Sequence, residues 1–340
     1  MFSTPSASPP PPPLRGASFG ADGVSAPLAS DTAVVHTEYD VASPPPKPAG
    51  AWTRFVCISD THDRTFAVPD GDVLLHAGDL TESGTLVGMR GTVEWLAAMP
   101  HKIKIIIAGN HDLTLDDHDD WYEREYSRWH RFGKEDAEAV KGLLTSDEAR
   151  EARIVYLQDE KHEFQVREDG RTWSVYGSPW SPYFYNWAFN YKRGLGAEGL
   201  ISKIPATDIL LTHGPPAGIL DRVITGEWVG CETLTARLPK LKPRLHVFGH
   251  IHEAHGVRVG EWQSPGGSPD TSSATPRTVF VNAANFPAGP QRKGPEGWTR
   301  GVGQGAFQPV IVDLRDAIDQ PESNDVPNPD NEPSPQGLAA

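Results

Sequence analysis

The chain has 340 residues, with 45 acidic side chains against 31 basic ones and a formal charge of −14. A surface of that sign repels polyanions, so stable nucleic-acid binding is not expected; a small phosphoester remains open, because bound cations would dominate the field around it. No apolar run reaches the roughly 18 residues of a membrane span, and the N-terminus lacks the basic start and apolar core of a secretory leader, so the chain reads as cytoplasmic, with no membrane partner.

Met1 to about Pro48 is Pro-rich, with five consecutive prolines at Pro9–Pro13. Residues 1–50 are therefore expected to be a disordered tail, either merely solvated or a weak Pro-rich ligand for a partner. A single domain is assigned to residues 51–318. It opens with an apolar strand from Arg54 that ends in Asp60-Thr-His62. A second, Val73–Ala77, ends in Gly78-Asp79. The spacing of Val93, Leu96 and Ala97 predicts a helix over Val87–Met99, closed by Pro100. A third strand, Ile103–Ala108, ends in Gly109-Asn110-His111-Asp112. This order suits a sheet packed against helices.

Residues 113–150 are charged and aromatic. Helices are predicted over Asp119–Phe132, carrying Trp121, Tyr122, Tyr126 and Trp129, and over Lys134–Leu144. His118 and His130 fall here and read as surface or packing residues. Three short strands follow, the last two joined by the turn Glu168-Asp-Gly170. Gly177–Asn190 is crowded with aromatics and broken by Pro179 and Pro182, so a long ordered loop is predicted. Its rings are either buried anchors or a lip that stacks on a substrate ring. A helical turn at Gly199–Ile204 precedes the strand that ends in His213. A short amphipathic helix from Cys231 precedes the strand that ends in Gly249-His250-Ile-His252. Strands are expected at Gly256–Glu261, Thr278–Val281 and Pro309–Leu314, with a flexible insertion over about 264–276 and a disordered acidic tail over 319–340. Cys57 and Cys231 read as small buried residues in a reducing compartment.

Five apolar runs thus each deliver oxygen or nitrogen donors at one end, where open α/β sheets build their sites. Each short motif is common alone; the ordered set of five exceeds what chance supplies. Donors of this kind without cysteine suit first-row divalent metals rather than thiolate centres. They are too many for one tetrahedral ion. A pair of ions roughly 3.5–4 Å apart accounts for the number, and Asp79 offers the two oxygens that a shared ligand needs.

The blocks Asp60-x-His62, Gly78-Asp79, Gly109-Asn110-His111-Asp112, His213 and Gly249-His250-x-His252 resemble the calcineurin-like metallophosphoesterase superfamily, over roughly Arg54 to Leu314. The strings Phe55–His62, Gly177–Pro182, Leu211–Pro216 and Pro243–Glu253 resemble its metallophosphoesterase-domain-containing (MPPED-type) branch. The resemblance implies a four-layer α/β/β/α sandwich, two mixed sheets flanked by helices. It implies one metal on Asp60, His62, Asp79 and His252 and another on Asp79, Asn110, His213 and His250. Mn, Fe, Zn and Mg all remain open, with Mn favoured. It implies that His111 protonates the leaving oxygen or steadies the phosphate, and Asp112 is expected to orient His111 through its ring nitrogen. The reaction implied is hydrolysis of cyclic or small nucleotide phosphodiesters by a metal-bridging hydroxide. A phosphomonoesterase, including a protein phosphatase, and a non-catalytic scaffold are the alternatives. His250, which some members of the branch lack, is present and weighs against the scaffold. His76 and His246 read as packed within strands, and His255 as a rim residue. Arg64 and Asn285 are candidates to approach a phosphate, with no spacing to establish it.

Overall fold

Along the strand Trp52–Ile58, Phe55 and Cys57 face one way and Val56 and Ile58 the other, and all four are fully buried. Period-2 alternation with both faces apolar requires cover on both sides. The computed structural model, which describes residues 30–262, 276–285 and 308–316 together with the backbone of four short outlying strands, supplies that cover as four layers.

The first sheet runs in the order Leu28–Ala29, Ala33–His36, Val310–Arg315, Trp52–Ile58, Val73–His76, Ile103–Ile106, Ile154–Tyr156. The second runs Ala17–Phe19, Gly256–Trp262, Arg277–Asn282, Leu245–Phe248, Ile209–Thr212, Trp173–Ser178, Glu160–Phe164. Each is parallel at its centre; the second is antiparallel at both margins, and the first is antiparallel toward Leu28–Ala29 but parallel out to its Ile154–Tyr156 edge. Between the sheets, Phe55, Cys57, Val73, Leu75 and Ile105 pack against Val175, Ile209, Leu211, Val247 and Val281. Outside the first sheet, Val56, Leu74 and Ile106 meet Met89, Val93 and Leu96 of the helix Leu86–Ala97 and Val140 and Leu144 of Ala137–Leu144. Outside the second, Leu210, Phe248 and Phe280 meet Ile201 of Leu195–Ile201 and Leu234 and Leu238 of Glu232–Leu241. Truncating one such central side chain, Leu75→Ala for example, would cost about 2–5 kcal/mol. The expected α/β/β/α sandwich is the one observed.

The predicted helices and strands fall where periodicity put them, within a few residues. The helix from Cys231 begins with that residue as its cap, its sulfur accepting from the Leu234 amide. One short helix, Asp147–Glu151, was not anticipated. The aromatic loop is largely irregular but contains the paired strands Ser181–Pro182 and Asn190–Tyr191.

The N-terminal boundary needs correction. Residues 30–48, assigned to a disordered tail, lie on the domain. Ala33–His36 pairs antiparallel with Val310–Arg315, and Val35 is 2% exposed. Tyr39 exchanges hydrogen bonds with Gln308, Lys47 pairs with Asp72 at 2.8 Å, and Arg54 donates to the Pro45 carbonyl. The edge of the first sheet would otherwise stand open, and an unpaired edge beside apolar side chains recruits a strand. Nearly all of the insertion over about 264–276 and the tail 319–340 lie outside the described residues. Among the described residues no helix is long and apolar enough to cross a membrane.

Candidate metal centre

The two sheets meet at the carboxyl ends of their parallel strands. Ser59, just past the first strand, bridges to Ala284, and its carbonyl accepts from the Asn285 amide at 2.7 Å. The first sheet delivers Asp60, His62, Asp79, Asn110 and His111 to this end, and the second delivers His213, His250 and His252.

Backbone strain marks the place. Asp60, His62, Asp79 and His250 have φ of 56°, 47°, 53° and 68°. The left-handed region is uncommon outside glycine, and it persists where surrounding structure dictates it. Each such residue turns the chain sharply at a strand end. Gly78 precedes Asp79 at φ 98°, and a Cβ there would meet the Ala108 carbonyl at 2.5 Å and His213 Nδ1 at 2.7 Å. At Gly249 a Cβ would collide with the Asp60 carboxylate. Both glycines are therefore required by close approach.

Asp60 and Asp79 are almost wholly buried, and their ion-pair partners among the described residues are imidazoles. Asp79 Oδ1 lies 3.4 Å from His213 Nε2, whereas its Oδ2 faces His62 Nε2 at 3.8 Å. The carboxylate thus presents one oxygen to each set of donors. His213 Nε2 is also 3.0 Å from Asn110 Oδ1, and the His213 ring lies 5.1 Å from that of His250. On the other side, His252 Nε2 is 3.0 Å from Asp60 Oδ1 and 3.5 Å from His62 Nε2. The His250 amide donates to both Asp60 oxygens at 3.1 Å.

The charges follow from this geometry. Burial would raise the Asp60 carboxyl, but His252, hydrogen-bonded to it, holds it well below the usual carboxylate range. Burial would raise Asp79 as well, but His213, His111 and His62 together hold it low. Burial would lower His213, but Asp79, Asp60 and the Ala77 carbonyl together raise it to about 9. Burial lowers His62 to about 4 and His250 to about 3.

The donor set suits hard or borderline divalent cations. Two buried carboxylates facing imidazoles, with no Lys or Arg paired to them among the described residues, form a site whose charge a cation would balance. The tautomer fits as well. His213 Nδ1 donates to the Ala77 carbonyl at 2.9 Å, which directs Nε2 into the site, the arrangement typical of a ligating histidine. Three triplets bring their ligand atoms within 4.8 Å of one another: Asp60, His62 and His252; Asp60, Asp79 and His213; and His62, Asp79 and His111. The third includes His111, which was expected to stay outside the coordination.

Asp112 departs from its expected task. Its Oδ1 accepts from the Thr81 amide at 2.9 Å and hydroxyl at 2.7 Å; its Oδ2 accepts from the Leu80 amide at 3.1 Å and the Gly109 amide at 2.8 Å. Burial and then Asp79 push its carboxyl up to about 7, against these bonds. It ties the end of one strand to the end of the next and does not touch the His111 ring. That ring is held instead by the Glu82 carbonyl, which accepts from Nδ1 at 2.8 Å. A carbonyl can only accept, so Nδ1 carries the proton and Nε2 is turned toward the site. The reason is local: the turn after Asp112 buries its side chain under the strand ends, away from its neighbour's ring.

The remaining candidates are placed plainly. His76 Nε2 bonds Thr61 and His246 Nε2 bonds Thr212, at 3.0 Å and 2.9 Å, so both are packed strand residues. His255 is bonded to the Gln308 carbonyl. His130 is a packing residue, between the Tyr122 hydroxyl and the Ser83 carbonyl, while His118 lies at the surface beside Trp180. Arg64 is exposed, and Asn285 is buried with its amide on Ser59. The residues missed at the site are Glu82 and Trp187. Glu82 lies three residues past Asp79, a proximity legible in the sequence, and its carboxylate is 3.7 Å from His62 Nδ1. Trp187 belongs to the aromatic loop whose rings read as buried anchors or a substrate lip; that it stacks on His111 had no local signal.

The sequence model of the family described as calcineurin-like phosphoesterase matches residues 53–254. The chain is 46% identical over 222 residues to metallophosphoesterase domain-containing protein 1 of Homo sapiens, and equally to its Mus musculus counterpart, covering 62% of this chain and 64% of each relative. The match therefore spans less than two thirds of those proteins. UPF0046 protein K07C11.7 of Caenorhabditis elegans is 34% identical over 251 residues, 73% of this chain and 74% of that one. The crystal structure of TT1561 of Thermus thermophilus aligns with a TM-score of 0.37 at 11% identity, over 69% of this chain and 91% of that chain.

Proposed function

Because the chain belongs to the calcineurin-like phosphoesterase family, we propose that it is a binuclear metal-dependent phosphodiesterase acting on cyclic or small nucleotide phosphodiesters. The observation that carries this reading is the Asp79 carboxylate, with one oxygen toward His213 and the other toward His62. Asp60, His62, Asp79 and His252 would hold one cation, and Asp79, Asn110, His213 and His250 the other, Mn being the favoured metal. When bound, such a pair supplies Lewis-acid charge for the phosphoryl oxygens and lowers the pKa of water.

The chain's own residues then do the following. Asp60 and Asp79 fix the charge of the floor, and the backbone turns at Gly78 and Gly249 let the strand ends close on it. His111, with Nδ1 satisfied by Glu82, turns Nε2 toward the substrate; in its imidazolium form, with both nitrogens protonated, it donates the Nε2 proton to the departing ester oxygen and is left neutral with the Nδ1 proton in place. The test is a panel on the Mn-reconstituted protein, with bis(p-nitrophenyl) phosphate, p-nitrophenyl phosphate and cyclic nucleotides side by side. The reading expects turnover of the first and third above the second. Preference for p-nitrophenyl phosphate would make it a monoesterase, and inactivity with two metals bound would make it a scaffold.

A further inference from the structure

Two features stand outside the metal centre: the aromatic helix Trp121–Trp129 with His130 at its end, and the aromatic loop 180–191. They meet at His111. The Trp187 ring stacks on the His111 imidazole with centroids 4.1 Å apart and planes at 27°. Trp129, the last residue of the helix, lies against the other side of the arrangement, 3.7 Å from the Trp187 centroid. The opposite edge of His111 meets the His62 ring at 4.5 Å and 84°.

A second strap runs from the same helix end. His130 Nδ1 is bonded to the Tyr122 hydroxyl, and its Nε2 donates to the Ser83 carbonyl at 2.8 Å. Ser83 follows Glu82, whose carbonyl accepts from His111 Nδ1. The helix end therefore reaches His111 twice, through a column of rings and through the 82–83 backbone. The loop is bent to permit this: Tyr185 and Asn186 have φ of 46° and 57°, and Trp187 donates its amide to the Phe184 carbonyl at 3.2 Å.

We propose that Trp187 is the positioning residue of His111: it fixes the plane of the imidazole, while the Glu82 carbonyl fixes its rotation and tautomer. One hydrogen bond leaves a ring free to swing about its own axis, and a stacked indole removes that freedom. The inference rests on the acid role assigned to His111 above. A ring displaced by an ångström reacts far more slowly even with every group present.

The experiment uses the full chain, with 3′,5′-cyclic AMP, whose leaving alkoxide is basic and needs protonation, as the probe and metal content measured for each variant. Trp187→Leu should lower kcat by about tenfold or more with KM little changed and both ions retained. Trp187→Phe should recover most of the loss, and it reads the proposal should the leucine variant not fold. In a His111→Ala background, Trp187→Leu should cost nothing further. A separate readout needs no turnover: in the zinc-loaded protein, the ring-current shift of the His111 carbon-bound protons should vanish in Trp187→Leu. Additive losses with His111→Ala, or a raised KM at unchanged kcat, would overturn the proposal, the latter by making Trp187 a substrate contact. Wild-type turnover in His111→Ala would instead overturn the acid role, and the proton shift would still decide whether Trp187 holds the ring.

Discussion

The floor and the wall of the site are built in different ways. Every donor on the floor lies within a few residues of the carboxyl end of a central strand, buried or, for His250 and His252, half-buried, and backbone bonds such as His62 to the Asp79 carbonyl hold these strand ends. The wall comes from a helix and an irregular loop, and its key contact joins Trp129 to Trp187. On the same loop Tyr183, Phe184 and Tyr185 are 55%, 53% and 67% exposed. The floor is local in sequence at each strand end. The wall exists only once two distant segments have packed. A defect in the floor should therefore remove the cations, and a defect in the wall should leave them bound but badly used.

The largest effect is expected at Asp79. Asp79→Asn takes away the charge shared by both donor sets, and both ions should be lost on dialysis, with turnover abolished. Metal analysis of the purified variant decides it; two ions retained at wild-type affinity would end the bridging assignment.

His111 lies where floor and wall touch. His111→Ala should keep both ions and lose roughly 10²–10⁴-fold in turnover, most for esters with basic leaving groups. Nitrophenolate departs as a stable anion, so the loss should shrink there, and the comparison is of mutant-to-wild-type ratios at fixed metal content. Loss of an ion would move His111 to the floor, which the proximity of its ring nitrogen to His62 and Asp79 makes a sharp question.

Asp112 sharpens the contrast from beneath. Asp112→Ala strands four buried donors, those of Leu80, Thr81 and Gly109. It should cost about 3 kcal/mol or more in stability, read as a lower melting temperature or denaturation midpoint. Turnover lost at unchanged stability, with the His111 ring resonances moved, would restore the orienting role.

The smallest effect concerns the N-terminal segment, which like the wall is defined by distant contacts. Deleting residues 1–48 removes the strand Ala33–His36 from the first sheet. Burial of Val35 alone accounts for about 2 kcal/mol, so the melting temperature should fall while the metal content stays unchanged. An unchanged melting temperature would return this segment to the status of a tail.

Read alone, the sequence determined the strands, the helices and the donor types at their ends. Periodicity reports burial directly, and the ligands sit a few residues past apolar runs that can only be central strands, as at Ile58, His76 and Ile106. Tertiary structure decided the rest. The partner of His111 is Glu82 rather than adjacent Asp112, because side-chain direction after a tight turn is set by what the turn packs under. Ala33–His36 is a strand because the neighbouring strand Val310–Arg315, at the far end of the domain's sequence, leaves an edge to fill. Trp187 belongs to the site because its ring fits between two others that come from different elements. Such contacts arise from the closing of long loops, and no window of local sequence encodes which ends will meet.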